Sequence, residues 1–383
     1  MTEKLYYIDA YTSQFSATVL SCEPEGDLFA VTLDRTAFFP EEGGQYADTG
    51  YIENVRVLDA KERDGIIYHI TREPVTVGAT LECGIDFAER YEKMQCHTAE
   101  HILSGLIHKN FGFDNVGFHL GDDYVTMDIS GVLSRAELDM IETEANEAVF
   151  KNVAVTAVFP TAEELPALEY RAKLDITENV RIVNIEGYDS CACCAPHVSR
   201  TGECGLIKIL DFQKLRGGIR MFITAGRRAL LGYRALFTSA SEISKRLSVP
   251  KEEIADGVEK LLSDLEAERS AFKSYRLALV KEKAAALAPC DGNAVVLLDG
   301  LSPEELRTYA TEAYSRIGGI LVALTGAEGD YKYVIASSSV DLKPMIKDIN
   351  SALSGRGGGS SSMAQGSFAA SLDEIKSYFL AKM

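Results

Sequence analysis

The sequence has no apolar run long enough to span a bilayer. It also has no signal peptide: the first residues, Met1 to Tyr7, lack the basic and apolar regions of one. These absences make a cytoplasmic protein, with no membrane partner, the expectation. Basic charge is in deficit as well, with 39 Lys and Arg against 57 Asp and Glu and a net charge of −18. That excludes a protein coating nucleic acid indiscriminately, because phosphate binding runs on cations. It does not exclude a nucleic-acid enzyme, which needs one basic surface wherever the total falls. A disulfide scaffold is missing too. Eight cysteines in 383 residues without a secretion signal point to metal binding or reactive thiols, and Cys191, Cys193, Cys194 and Cys204 crowd together.

What is present reads as an α+β, multidomain chain of four segments, long enough for a sizeable core. Residues 1–88 are expected to form a small β-barrel. Val19, Phe29, Val31 and Leu33 alternate, Pro24 to Asp27 reads as a hairpin turn, and alternation returns at Val55, Val57 and Ile66 to Tyr68. Residues 89–240 read as an α+β domain. Its first helix begins near Asp86, with Glu89 as a capping partner, carries Tyr91, Met94, Ile102, Leu103, Leu106 and Ile107 at helical spacing, and stops at Asn110 and Gly112. Ser134 and Glu137 open a second helix over 134–150, amid strand-like stretches near 124–129, 153–159, 180–185, 206–210 and 219–223. Residues 241–290 form a helical connector. In it Ile254, Val258, Leu261, Leu265, Phe272, Tyr275 and Leu279 follow steps of three and four, broken at Glu268. That spacing fits a short coiled coil, a helical hairpin or a helix lying on a neighbouring domain. Residues 291–383 read as a compact α/β unit. Strands are expected at 294–298, 320–324 and 333–336, helices from Ser302 and over 342–353, then a glycine-rich stretch over 355–366 and a last helix capped by Ser371 and Glu374.

The sharpest chemical feature is the run HTAEH, His97 to His101. Residues four apart on a helix share a face, with Cβ atoms roughly 5–6 Å apart, so two imidazoles can reach one ion. Glu100 does not follow the first histidine, so the HExxH metalloprotease reading fails. Downstream, Cys193 and His197 supply a thiolate and an imidazole, the donors zinc prefers. The four make a complete tetrahedral set. A closed set is normally structural, so in a catalyst substrate or water must displace a ligand or enlarge the shell. Cys191 and Cys194 are spaced CxxC, which fits a redox pair or half of another zinc site, but no second CxxC follows. Cys204 reads as a small buried hydrophobe. His108 lies eleven residues beyond His97, roughly 16 Å along a helix, too far to share the ion. His119, between Gly117 and Gly121, is placed to line a pocket, and His69 flanks a strand without further signal.

These pieces resemble, in order, the editing apparatus of alanyl-tRNA synthetase. Residues 35–50, with the triplet Gly43, Gly44 and Gln45, look like its glycine-rich segment. His97 to His101 and Cys193 to His197 look like its zinc motifs, and residues 201–209 like the stretch that follows. Residues 355–366 resemble the signature of the DHHA1 domain. No aminoacylation module precedes the barrel, so the chain resembles the long form of the free-standing AlaX editing proteins. The resemblance implies hydrolysis of Ser-tRNA(Ala), and of Gly-tRNA(Ala), with Zn2+ held by His97, His101, Cys193 and His197. Cys194 and Ala195 stand where the family has small residues, often glycine. Cys191, Cys193 and Cys194 are therefore all candidate ligands, and spacing to His197 favours Cys193.

Such a hydrolase needs an activated water, a stabilised oxyanion and rejection of alanine. A site that hydrogen-bonds a hydroxyl rejects the analogue lacking it by roughly 10⁴-fold or more. His119, Gln45 and Thr126 are the candidate pocket residues, with Gln45 either shaping a pocket or simply closing a turn. Candidate tRNA contacts are Arg216, Arg220, Arg227 and Arg228, flanked by Lys214 and Arg234 with no acid between 214 and 234. The alternative is a solvated strand-turn-helix face. Arg356 sits in the glycine-rich stretch, where backbone N–H groups can approach phosphate. The connector and C-terminal unit are the expected contacts of a homodimer. Two other functions fit the residues: a tRNA-binding protein with a structural zinc, and a deacylase for a different aminoacyl-tRNA.

Overall fold

The computed structural model describes residues 1–121, 124–172 and 180–380. The chain falls into two compact units, Met1–Glu242 and Ile243–Met383.

The first unit begins with a barrel of β1 (Gln14–Glu25), β2 (Leu28–Leu33), β3 (Gly50–Ile52), β4 (Val55–Arg63), β5 (Ile66–Thr71) and β6 (Thr80–Ile85). They close in the order β1-β2-β5-β4-β3-β6, with β6 pairing back onto β1. Period-two alternation drives this: Phe15, Ala17 and Val19 of β1 point into a core with Val31, Leu33, Val57 and Ile67. The hairpin turn falls at Gly26, whose φ of 66° suits glycine.

Helix α1 (Phe87–Phe111) leaves the barrel and crosses the heart of the unit, buried on all sides from Met94 to Ile107. It ends where Gly112 adopts the left-handed conformation. The expected capping box at its start does not form. The Asp86 carboxylate accepts from Thr49 at 2.5 Å and pairs with Arg56 at 2.6 Å, so the cap is left to the Asp86 backbone carbonyl. Around α1 lie β7 (Asn115–Leu120), β8 (Val125–Ile129), α2 (Arg135–Lys151), β9 (Val155–Val158), β10 (Ile182–Ile185), β11 (Asp189–Ala192), β12 (Ile207–Leu215) and β13 (Gly218–Ala225). They form a four-stranded sheet, β12-β13-β8-β7, and a three-stranded one, β9-β10-β11. Helix α2 carries the Ser134–Glu137 capping box read from the sequence.

Helix α3 (Gly226–Leu247) follows β13 directly, so the connector expected from 241 starts inside a helix. Ser248, with φ of 57°, and Pro250 end it before α4 (Ile254–Ala285). In the second unit β14 (Ala294–Leu297), β15 (Leu321–Ala327), β16 (Asp330–Ala336), β17 (Gly355–Gly359) and β18 (Met363–Phe368) make one sheet in the order β14-β15-β16-β18-β17. Helices α5 (Pro303–Ala313), α6 (Ile346–Ala352) and α7 (Leu372–Leu380) complete it. The glycine-rich stretch is therefore not a loop around phosphate. Gly355 to Gly359 pair with β18 as an edge strand, because Cβ atoms at Gly357 and Gly359 would collide with that neighbour. Arg356 stands exposed on this edge. Helix α4 packs on α5 through Val280 and Ala284, while its predicted seam from Val258 to Leu279 stays exposed.

Candidate metal centre

The four donors foreseen as ligands converge: one atom each from His97, His101, Cys193 and His197 lies within 4.8 Å of the others. Helix α1 supplies the first two on one face, and the loop after β11 supplies the others. The Cys193 Sγ is 3.6 Å from His97 Nε2 and 3.4 Å from His197 Nε2. Cys194 turns instead towards Gly43, and Cys191 groups with His101 and Asp189.

Each histidine is held by its other nitrogen. His97 Nδ1 lies 2.9 Å from Gln45 Oε1, His101 Nδ1 2.9 Å from Asp189 Oδ2, and His197 Nδ1 3.0 Å from Thr98 Oγ1. With Nδ1–H donated to an oxygen, Nε2 keeps its lone pair and faces the cluster, the arrangement found around protein-bound metals. Arg171 fixes Asp189 in turn, at 2.7 and 2.9 Å. Burial opposes ionisation of Asp189, but His101 and Arg171 outweigh it and hold the carboxyl below its usual range. Burial likewise opposes a charged His101, but Asp189 pushes its pKa well up, so an ion binding there displaces the Nε2 proton to gain the lone pair. His197 is pushed down to about 3 by burial and stays neutral. Burial resists a thiolate at Cys193, yet the facing imidazoles hold the thiol well below its ordinary range. Three imidazoles and an acidified thiol, held with open nitrogens, are the donor chemistry of zinc.

The glycine-rich segment reaches this centre from the barrel. Gly43 and Gly44 have φ of 62° and 82°, and Gly44 lies so close to the Phe118 carbonyl that a Cβ would not fit. The turn seats Gln45 against His97 and leaves its Nε2 buried without a hydrogen-bond partner among the described residues. Phe118 of β7 stacks on His97 with ring centroids 4.6 Å apart.

The other two pocket candidates lie elsewhere. His119 follows Phe118 on β7, so its side chain takes the opposite face, where it is exposed and 3.2 Å from the Tyr46 hydroxyl. Thr126 is its partner on β8 and shares that face. His108 is exposed beside Asp114, and His69 is buried in the barrel between Thr36 and Val31. Of the basic run, Arg220 makes a two-pronged ion pair with Asp128 at 2.7 Å, and Arg227 and Arg228 share Glu92. These carboxylates come from other elements, which a scan of 214–234 cannot see. Arg216 stands exposed at the β12–β13 turn. Sequence reading missed Thr98, Asp189 and Arg171; only Thr98, inside HTAEH, carried a local signal.

Residues 180–221, containing the metal-loop donors, match the family model described as the threonyl and alanyl tRNA synthetase second additional domain. Residues 10–89, the barrel, match the model for tRNA synthetases class II (A). The alanyl-tRNA editing protein AlaX-L of Pyrococcus horikoshii is 28% identical, over 100% of this chain and 98% of that protein. The alanine–tRNA ligase of Ignicoccus hospitalis is 29% identical over 95% of the chain, and that of Halobacterium salinarum 34% identical over 69%. The chain spans only 41% and 30% of those longer enzymes. With a match along its whole length to an editing protein, and synthetase-derived models falling on its barrel and its metal loop, the chain is similar throughout to alanyl-tRNA editing proteins of the AlaX-L kind.

Proposed function

We propose that the protein is a cytoplasmic hydrolase that removes serine, and glycine, from mischarged tRNA(Ala) in trans, with Zn2+ held by His97, His101, Cys193 and His197. The observation that carries this reading is the pinning of three Nδ1 atoms, which leaves three Nε2 atoms and the Cys193 sulfur to converge. When bound, zinc supplies Lewis acidity, polarising an ester carbonyl or acidifying a water.

The chain's own residues do the rest. Gln45 orients His97 through Oε1, and its unpaired Nε2 is a donor for the carbonyl oxygen of the ester as negative charge develops there. Phe118 walls the His97 side against water. Arg216, exposed and without an ion-pair partner among the described residues, and Arg356 on the C-terminal edge strand are basic residues open to phosphates. The second unit is read as the DHHA1-like part of a four-part layout, 1–88, 89–240, 241–290 and 291–383. A second copy of the chain is the proposed partner for the exposed seam of α4.

The four-donor set also favours a second reading, a tRNA binder with a structural zinc. Incubating the purified protein with Ser-, Gly- and Ala-tRNA(Ala), with and without chelator, tests both. The hydrolase releases serine and glycine, spares alanine and stops when chelated. Retarded tRNA without amino acid release establishes the binder, and cleavage of other charged tRNAs alone establishes a deacylase of different specificity.

A further inference from the structure

A cavity of about 260 Å³ opens beside His197, between the N-terminal segment and the sheet of β9 and β10, and Tyr6, Tyr7, Asp9, Tyr11, Arg181 and Ser199 line it. Arg181 is 8% exposed. Its Nη1 donates to the Cys193 and Ala195 carbonyls at 2.9 and 2.8 Å, which ties it to the metal-binding loop. Among the described residues its Nε is buried with no hydrogen-bond partner, and the opposing charge that acts on it most is the Cys193 sulfur, which a metal would claim, rather than a carboxylate. The Tyr6 hydroxyl, on a residue 1% exposed, is also buried and has no hydrogen-bond partner among the described residues.

Buried donors are normally satisfied, and a buried cation normally has a counter-charge. Both needs are met by a ligand that offers acceptor oxygens and negative charge. The Tyr7 ring, with the Arg181 guanidinium 5.3 Å and the Lys4 ammonium 5.5 Å from its centroid and the Phe159 ring edge-on at 5.3 Å, adds an aromatic, cationic wall against which a base can pack. The volume falls below the roughly 300–1,000 Å³ of sites that enclose a drug-sized ligand, so it suits part of a mononucleotide.

We propose that this cavity binds the phosphorylated terminal nucleoside of the acceptor strand, with phosphate against Arg181 and Tyr6 and the base against Tyr7. The site anchors the end of the RNA next to the loop that carries Cys193 and His197. That the ligand is a tRNA end rests on the deacylase reading; that it is a nucleoside monophosphate rests on the cavity alone.

The test is calorimetric titration of the full chain with adenosine monophosphate, adenosine and the trinucleotide CCA, with bound zinc measured in the same samples. Adenosine monophosphate and CCA are expected to bind. Adenosine, Arg181→Lys and Tyr7→Leu are each expected to weaken binding by about tenfold or more, the worth of one charge-assisted contact, with zinc content unchanged. Unchanged affinity in both variants overturns the proposal. So does zinc lost in step with the nucleotide in Arg181→Lys, which would make that residue a support for the metal loop alone. Because Arg181→Lys can disturb the loop, Tyr6→Phe gives an independent arm: it removes only the hydroxyl and is expected to weaken the monophosphate but not adenosine. Competition by intact tRNA(Ala), and none by tRNA lacking its last adenosine, identifies the ligand as the tRNA end; equal competition by both overturns that identity. Nucleotide binding without Ser-tRNA(Ala) hydrolysis defeats the deacylase reading and leaves the site standing, and hydrolysis unaffected by all three variants does the reverse.

Discussion

Asp189 orients His101 from outside helix α1: its carboxylate accepts a hydrogen bond from Nδ1–H and leaves Nε2 facing the cluster. Removing such a partner typically costs 10- to 100-fold in metal affinity, so Asp189→Asn is expected to weaken zinc by about that factor in competition with a chromophoric chelator. Unchanged affinity would mean that His101 is oriented by packing alone. The four converging donors were legible because HTAEH and the Cys193–His197 spacing are local. Their holders were not, since Gln45 lies 52 residues from His97 and Asp189 lies 88 from His101. The same blindness to distance made the basic run look free, although Asp128 and Glu92 were waiting on β8 and α1. His69 gives a pH signature away from the metal. Burial in the barrel pushes it down from 6.5 to about 4. The unfolded chain therefore takes up that proton first, and stability falls as pH drops from about 6.5 towards about 4, by up to about 3 kcal/mol. Chemical denaturation across that window should show a flatter pH slope for His69→Gln than for the parent, whatever its baseline; equal slopes would assign the loss to other groups.

At the scale of elements, α1 and the turn before β11 approach each other closely at Gly105. A Cβ on Gly105 would run into the Tyr188 carbonyl oxygen and crowd Asp189, the holder of His101. Two effects of alanine oppose each other here. Helix propensity favours it by about 1 kcal/mol. Overpacking against a backbone typically costs about 1–3 kcal/mol, because the neighbouring strand must move. The second is expected to win, so Gly105→Ala should lower the melting temperature and weaken zinc together. A variant that is more stable with zinc affinity intact would show that β11 yields freely. Element starts were readable wherever a serine could cap: Ser134, Ser302 and Ser371 all meet their glutamates. Asp86 failed because Arg56 and Thr49 compete for its carboxylate, which local spacing cannot reveal. The glycine-rich stretch misled for a related reason: its glycines mark a crowded edge strand rather than a loop whose N–H groups face phosphate.

Over the whole molecule, a charge of −18 and an exposed apolar seam pull association in opposite directions. Single exposed leucines need no explanation. Leu261, Leu265, Phe272, Tyr275 and Leu279 are different: they are exposed and recur at steps of three and four on a 32-residue helix, the spacing by which two helices close a shared stripe. If a second copy covers that seam, burial drives the dimer while like charge opposes it. Screening removes the opposition, because the Debye length falls to about 8 Å near 0.15 M salt. Dimerisation should therefore strengthen as salt rises. Binding of tRNA runs on released counterions and should weaken over the same range. Sedimentation velocity at rising salt, with and without deacylated tRNA(Ala), separates the two trends. The paired change Leu261→Asp and Leu265→Asp is expected to give a monomer at every salt concentration, with the zinc content of the first unit unchanged. A parent chain that sediments as a monomer throughout would leave the seam to another partner and remove the homodimer from the functional picture.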